Sequence, residues 1–210
     1  MPTADQILQG LTAVANDWML VAVAWHLVIG AALVAVLLGW RPGPRLAASL
    51  ITTLPASAAI VAIAAGNPFN GIVLAATALA LALLARAPAA SSPASWGRWA
   101  GVAMIAYGWF YPHFLEGDLV AYAYAAPVGL VPCPTLAMAM GLALAGNVGE
   151  RRWRRVLAGV AAFYAMFGML RLGVLLDAGL LVGAIALVAS SVAHTTIETR
   201  LGPARGAHST

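Results

Sequence analysis

The sequence contains no lysine, since all eleven of its basic residues are arginine. Without a lysine amine, a protein cannot form a Schiff base with retinal or pyridoxal phosphate. Retinal is therefore excluded as a cofactor. The sequence also has a single cysteine, Cys133, which cannot form a disulfide within these residues or supply a multi-thiolate zinc or iron–sulfur site unaided. No resident cofactor is predicted.

Charge is scarce as well. Only 9% of the residues are charged and 62% are hydrophobic, with a mean hydropathy of +0.90, whereas soluble domains carry about 25% charged residues. Too few polar side chains remain to cover a soluble globule, so the chain is predicted to be an all-α integral membrane protein whose main partner is the lipid bilayer. Its pI of about 9.8 does not indicate nucleic acid, because the arginines lie between apolar runs and not along one face.

Several catalytic signatures are missing too. The sequence has no His-Glu-x-x-His, Gly-x-Ser-x-Gly or Walker pattern, and no complete acid–base–nucleophile set can be assembled. An enzymatic activity is therefore uncertain, and its absence is favoured.

Long apolar runs are what the sequence has in abundance. A helix needs about 20 apolar residues to cross a bilayer, and the hydropathy predicts a bundle of seven transmembrane helices. The predicted spans lie near 17–40, 46–66, 69–86, 97–115, 119–147, 153–171 and 175–194. They form a transmembrane domain over 17–195, preceded by an extracytoplasmic segment, 1–16, and followed by a cytoplasmic tail, 196–210. No Lys or Arg precedes the first run, so it is expected to be a retained helix and not a cleaved signal peptide.

The arginines predict the orientation of this bundle. Seven spans place ten of them on one face and only Arg171 on the other. The ten are Arg41, Arg45, Arg86, Arg98, Arg151, Arg152, Arg154, Arg155, Arg200 and Arg205. By the positive-inside rule that face is cytoplasmic, which puts the N-terminus outside, the C-terminus inside and the protein in the cytoplasmic (inner) membrane as a multi-pass protein. The run "RRWRR" is interpreted as a topology anchor.

The fifth span is interrupted by Pro127, Pro132 and Pro134, and it holds the motif Pro-Cys-Pro-Thr. Proline lacks an N–H and restricts the residue before it, so the helix is predicted to be broken around Cys133. A half-length helix should follow, with Thr135 as its N-cap. Pro132, Pro134 and Thr135 are therefore predicted to be structural. Cys133 would lie beside the positive end of that helix, where a thiol could contact a soft metal ion; a purely structural, buried cysteine is the alternative.

Most other polar residues of the apolar chain fall at the outer ends of the spans. Ionisable groups at membrane depth usually face the bundle or a cavity, which predicts one outer polar cluster. The candidates for binding a substrate or ion are Cys133, His113, Glu116, His26, Arg171 and Asp177. Cys133 and His113 are the candidate metal ligands. His113 and Glu116, three apart on a predicted helix, would share one face, and Arg171 and Asp177 would either pair or bind an anionic substrate.

The Pro-Cys-Pro-Thr turn at 132–135, opening a half-length helix, and "LLDAGLLVGA" at 175–184, opening the last span, resemble a family of uncharacterised bacterial multi-pass membrane proteins. The resemblance covers nearly the whole chain and implies a seven-helix membrane fold. That family has no established activity, so the resemblance implies no substrate.

Two functions remain open. The favoured hypothesis is a transporter or binding protein for a small solute or soft metal ion, with an extracytoplasmic-facing site at the Pro-Cys-Pro break. The alternative is a structural subunit or assembly factor of a larger membrane complex. Stripes of small residues, such as Ala137, Gly141 and Ala145, would then pack against partner helices or a second copy of the chain.

Overall fold

The computed structural model describes residues 2–85 and 95–200, so the predictions that fall on Arg86, on Arg205 and on the end of the tail lie outside the described residues. Every regular element in these two ranges is helical, which confirms the all-α class. The α-helices are α1 Ala4–Asp17, α2 Met19–Leu37, α3 Pro44–Ala64, α4 Pro68–Leu84, α5 Ser95–Trp109, α6 Tyr122–Ala125, α7 Pro132–Ala145, α8 Arg151–Arg171 and α9 Ala178–Arg200. Short 3₁₀ turns, Leu119–Ala121 and Leu175–Asp177, precede α6 and α9.

Two of the described helices, α2 and α3, are long and apolar enough to cross a membrane. Shorter apolar helices occupy Pro68–Leu84, Pro132–Ala145 and Leu175–Ser191. The side chains of α2 are unusually uncovered for so apolar a helix: Leu20 is 84% exposed, Leu27 70% and Leu37 86%.

The N-terminal segment is itself a helix. Thr3 is the N-cap of α1 and accepts a hydrogen bond from the Gln6 N–H, while the Gln6 side chain accepts one from the Thr3 N–H. This reciprocal capping box satisfies two N–H groups that the first turn would otherwise leave free.

Helix α7 lies at the centre of the bundle and packs against α3, α5, α8 and α9. Nearly all of its side chains are buried, although it has only 14 residues. Its closest neighbour is α5, where glycines replace side chains at the crossing. A Cβ on Gly108 would come within 2.8 Å of the Met138 nitrogen, and one on Gly141 within 2.6 Å of the Ile105 nitrogen. The small-residue stripe predicted as a packing face is therefore used inside the chain.

The helix break lies just before the Pro-Cys-Pro motif and not at it. Pro132 begins α7, and Val131 is its N-cap with an extended backbone, φ −110° and ψ 142°. The prediction of irregular backbone around Cys133 is wrong, because the N–H groups in the first turn of a helix have no acceptor within the helix. Two prolines are tolerated there, although they would break a helix interior. The irregular segment is 126–131.

A second correction concerns the predicted span 97–115, because α5 ends at Trp109. Pro112 lies three residues beyond the last helical residue, Trp109, and Phe114 has a positive φ of 81°, so the chain turns here instead of continuing as helix. The predicted shared helix face of His113 and Glu116 is therefore wrong.

Candidate functional site

A cavity of about 690 Å³ lies where the ends of several helices meet. Its walls come from α1, from the start of α4, from the start of α7 and from the end of α8, together with Val174 and Asp177 just before α9. Most of the lining is apolar, and the charged residues among it are Arg171 and Asp177. Cys133 of the Pro-Cys-Pro turn also lines the cavity.

A hydrogen-bonded trio of Cys133, Asp177 and Tyr111 lies at this cavity. The Tyr111 hydroxyl donates to Oδ1 of Asp177 at 2.7 Å, and the Cys133 thiol donates to Oδ2 at 3.4 Å. All three side chains are buried, Asp177 being 2% exposed. Because a buried carboxyl group is costly without hydrogen bonds, these two donors explain how the bundle accommodates it.

The remaining contacts of Asp177 fix its position. A Cβ on Gly168 of α8 would lie 1.8 Å from Oδ2, so the carboxyl group occupies the space that any other residue would fill. Tyr107 donates a hydrogen bond to the Leu176 carbonyl at 2.7 Å and packs edge-on to Tyr111. The two tyrosines of α5 and its following turn thereby hold the chain that carries Asp177.

Thr135 has a different role from the one predicted. It is not the N-cap of α7; its hydroxyl accepts from the Gly129 N–H at 2.8 Å and donates to the Val131 carbonyl at 2.6 Å. The Gly129 carbonyl in turn accepts from Ser57, which accepts from the Trp25 indole. These hydrogen bonds satisfy polar backbone groups of the irregular segment 126–131, in which every residue is buried.

Arg171 and Asp177 do not pair. Arg171, exposed at the end of α8, donates to the Pro2 carbonyl at 3.0 Å, and Asp177 is held by the trio, with no ion pair between them among the described residues. The Arg171 contact ties the start of α1 to the bundle. At the other end of α1, Asn16 donates to the Phe114 carbonyl at 3.0 Å and accepts from the Glu116 N–H at 3.1 Å. Helix α1 is thus fixed at both ends as one wall of the cavity.

The other predicted residues lie outside the cavity lining. His113 is half-buried and packs edge-on to Phe114 with ring centroids 4.3 Å apart. Glu116 is exposed on the loop. His26 lies between α2 and the end of α5, with its ring nitrogens 2.9 Å from the Ala22 carbonyl and 3.2 Å from the Trp109 carbonyl.

Metal ligation has limited support in this arrangement. No group of three or more His, Cys, Asp or Glu side chains that could hold a metal ion occurs within the residues that the structure describes. Cys133 and Asp177 come together, but the thiol and the carboxyl group are already hydrogen-bonded to each other.

Sequence reasoning missed two contributors to the site. One is α1, for which Thr3 and Gln6 carried the capping-box spacing. The other is Tyr164 of α8, which lines the cavity and whose hydroxyl donates to Oδ1 of Asn70 at 3.1 Å. A buried tyrosine within an apolar helix needs a partner for its hydroxyl, and that requirement was the available signal.

No family model matches this chain, and no curated protein or solved structure is similar enough to count as a match. The resemblance carried by the Pro-Cys-Pro-Thr turn remains an expectation.

Proposed function

We propose that this protein is a multi-pass protein of the cytoplasmic membrane with seven spans, its N-terminus outside and its C-terminus inside. Two observations support this reading. The large apolar side chains of α2, exposed on the outside of the bundle, suit contact with lipid better than contact with water. Arg41 in the connection 38–43, Arg45 at the start of α3 and the four arginines at the start of α8 lie at the ends of helices opposite the cavity.

Within this frame, the protein binds a small solute in the extracytoplasmic-facing cavity. The observation that carries the proposal is the 690 Å³ cavity that reaches Cys133 and Asp177, a size within the range of roughly 300–1,000 Å³ typical of small-molecule sites. Mostly apolar walls with a few convergent polar groups are also typical of such sites.

The start of α7 fits this use. Ser57 lies seven residues before the end of α3, which is about 10 Å along a helix, and it hydrogen-bonds the irregular segment at Gly129. Non-helical backbone at this depth is tolerated where it is buried in protein or lines a cavity. Interrupted helices of this kind form the solute sites of many transporters.

Of the two ligand classes that the sequence left open, the structure favours the small solute over the soft metal ion. The cavity is far larger than a metal ion, and the Cys133 thiol is engaged with Asp177. The alternative of a structural subunit expects Cys133 to be packed on all sides, whereas Cys133 lines the cavity.

Labelling of Cys133 in intact cells with a membrane-impermeant maleimide tests the proposal, because the chain has no other cysteine. We expect slow labelling from outside, since the thiol is only 8% exposed. Two matched controls in a Cys133→Ser background show how fast an exposed cysteine is labelled on each side of the membrane. Glu116→Cys, on the exposed outer loop, should label quickly, and Arg152→Cys, at the opposite end, only after the membrane is permeabilised.

The outcomes separate the hypotheses. Labelling of Arg152→Cys and not of Glu116→Cys in intact cells would reverse the proposed orientation. Labelling of Cys133 only after denaturation, with the two controls behaving as expected, would contradict a solute-accessible cavity and favour the structural-subunit reading.

A further inference from the structure

The cavity offers hydrogen-bond donors that none of the described residues uses, whereas its carboxyl group already accepts two hydrogen bonds. Both oxygens of Asp177 accept a hydrogen bond, one from Tyr111 and one from Cys133, and the side chain is 2% exposed. Because its side chain is almost fully enclosed by protein, Asp177 presents little surface to a ligand in the cavity. The chemistry of the ligand is decided by the other polar groups.

Asn70 is the most informative of these groups. It is 8% exposed, lines the cavity, and its Oδ1 accepts from the Tyr164 hydroxyl. The Nδ2 group of its side-chain amide makes no hydrogen bond within the described residues. Because Asn70 lines the cavity, this NH₂ group is open to a ligand oxygen, which would accept a hydrogen bond from it.

Arg171 adds a positive charge, the only one among the described residues that line the cavity. Only its Nη2 makes a hydrogen bond within the described structure, to the Pro2 carbonyl. The guanidinium carries five N–H donors, so most of them remain free for an oxyanion, which arginine binds in a two-pronged geometry. Near lipid, such a group strongly favours an anionic partner.

The rest of the wall is suited to a hydrocarbon chain. Along α8 the cavity is lined by Phe167 and Leu172, and α1 presents Ile7, Leu11 and Val14 to the same space. The opposite side of α1 carries polar residues such as Asp5 and Gln9, both exposed. This division of polar and apolar sides suits a helix that lies along a membrane–water interface; with the proposed orientation, the cavity would then lie beside the headgroups of the outer leaflet.

From these groups we infer that the ligand is an anionic amphiphile, with a carboxylate or phosphate headgroup on a hydrocarbon chain. Arg171 binds the oxyanion, Asn70 donates to a further oxygen of the ligand, and the chain lies between α1 and α8. This inference rests on the proposed function, because it assigns a chemical class to the solute of the same cavity.

Binding of four compounds with the same dodecyl chain tests the assignment. The full-length protein is placed in nanodiscs of phosphatidylcholine and incubated with radiolabelled dodecanoate, and dodecyl phosphate, dodecanol and dodecyltrimethylammonium are added as competitors. We expect saturable dodecanoate binding that dodecyl phosphate displaces. Dodecanol should compete at least about tenfold less well, since it lacks the charge that Arg171 binds, and the cationic compound should not compete.

Three variants assign the contacts. Arg171→Gln should weaken dodecanoate binding about tenfold or more, whereas its matched control Arg152→Gln, which removes an exposed arginine at the other end of the same helix, should leave it unchanged. Asn70→Asp retains the oxygen that accepts from Tyr164 and replaces the amide NH₂ group by an acceptor, so it should also weaken binding.

Nanodiscs containing phosphatidic acid distinguish the source of the oxyanion. A lower dodecanoate affinity in these nanodiscs assigns the site to membrane lipid, and an unchanged affinity assigns it to a free amphiphile.

The inference and the proposed function can fail separately. If dodecanol binds as tightly as dodecanoate and Arg171→Gln has no effect, the cavity binds a solute but the oxyanion assignment is wrong. If the cationic compound competes best, the assignment is also wrong, and Asp177 is the recognition group. If none of the four compounds binds and Cys133 labels only after denaturation, the proposed function fails with it.

Discussion

The two ends of α7 bury opposite charges, and they do so in opposite ways. Asp177 lies beside the start of the helix and Arg154 beside its end, and each is 2% exposed. The Asp177 end borders the cavity, where Asn70 and Arg171 have hydrogen-bond donors that no described residue uses. At the Arg154 end the guanidinium is surrounded by acceptors.

Arg154 holds the turn that follows α7 by hydrogen bonds to residues 147–149 and to α9. Its Nε donates to the carbonyls of Val148 and Gly149 at 3.1 and 3.0 Å, its Nη1 to Ser190 Oγ at 3.0 Å, and its Nη2 to Asn147 Oδ1. A helix C-terminus carries partial negative charge, which offsets a buried cation without a carboxylate partner. At one end of α7, the buried Arg154 uses its donors for hydrogen bonds within the fold, whereas at the other end the buried Asp177 lines a cavity.

Replacement of Arg154 by methionine should produce the largest loss of stability. The unbranched side chain fills much of the volume but leaves the carbonyls of Val148 and Gly149 without a donor, and each buried unsatisfied acceptor costs about 1–3 kcal/mol. We therefore expect a loss of at least about 3 kcal/mol in the free energy of unfolding. Equilibrium unfolding in detergent micelles, followed by circular dichroism, measures it.

The matched control for this variant is Arg152→Met, two residues earlier on the same helix, where the side chain is exposed. It should change the free energy of unfolding by no more than about 0.5 kcal/mol. Equal losses in the two variants would mean that the arginines act through their shared charge and not through the hydrogen bonds of Arg154 to the turn after α7.

Gly168→Ala should give the second largest loss of stability, at the end of α7 that borders the cavity. The added Cβ would lie 1.8 Å from Oδ2 of Asp177, so the carboxyl group must move away from α8 and weaken its bond to Cys133. Overpacking of this kind costs about 1–3 kcal/mol. The freed thiol should react faster with maleimide, which labelling kinetics in detergent will detect.

Gly10→Ala is the matched control on the opposite wall of the same cavity, because a Cβ there meets nothing within 4 Å. It should leave the labelling rate unchanged and should stabilise α1 by up to about 1 kcal/mol, since alanine favours helix over glycine. If Gly168→Ala also leaves the rate unchanged, Asp177 does not restrain the thiol.

The helices could be predicted from the sequence because its apolar runs are about as long as a helix that crosses a bilayer or lies in a protein core. The helical part of "PCPTLAMAMGLALAG" is an example, and α7 has the half length expected of it. The bounds were less predictable where proline was involved. Whether Pro132 lies in a helix interior or a first turn depends on where the preceding segment packs, and the sequence does not encode that locally.

The candidate site was predictable only in part. Cys133, Arg171 and Asp177 were found because polar residues are rare in this chain, and all three line the cavity. Their partners were not, since Tyr111 and Asp177 are 66 positions apart and no periodicity links them. Arg154 was assigned to a charged surface, although Ala158, Ala161 and Ala165 share its helix face and are buried, and that pattern would have indicated an inward position.

Arg171→Gln should have the smallest effect on stability, which sharpens the contrast with Arg154. Its side chain is exposed and makes a single hydrogen bond, to the Pro2 carbonyl, which glutamine can replace in part. We expect a change in the free energy of unfolding within about 0.5 kcal/mol, typical of exposed positions. The unfolding assay used for Arg154→Met measures both variants in the same detergent. A loss approaching that of Arg154→Met would show that the arginine at the open end also holds the fold together, and any effect of this variant on dodecanoate binding could then no longer be assigned to direct contact with the ligand.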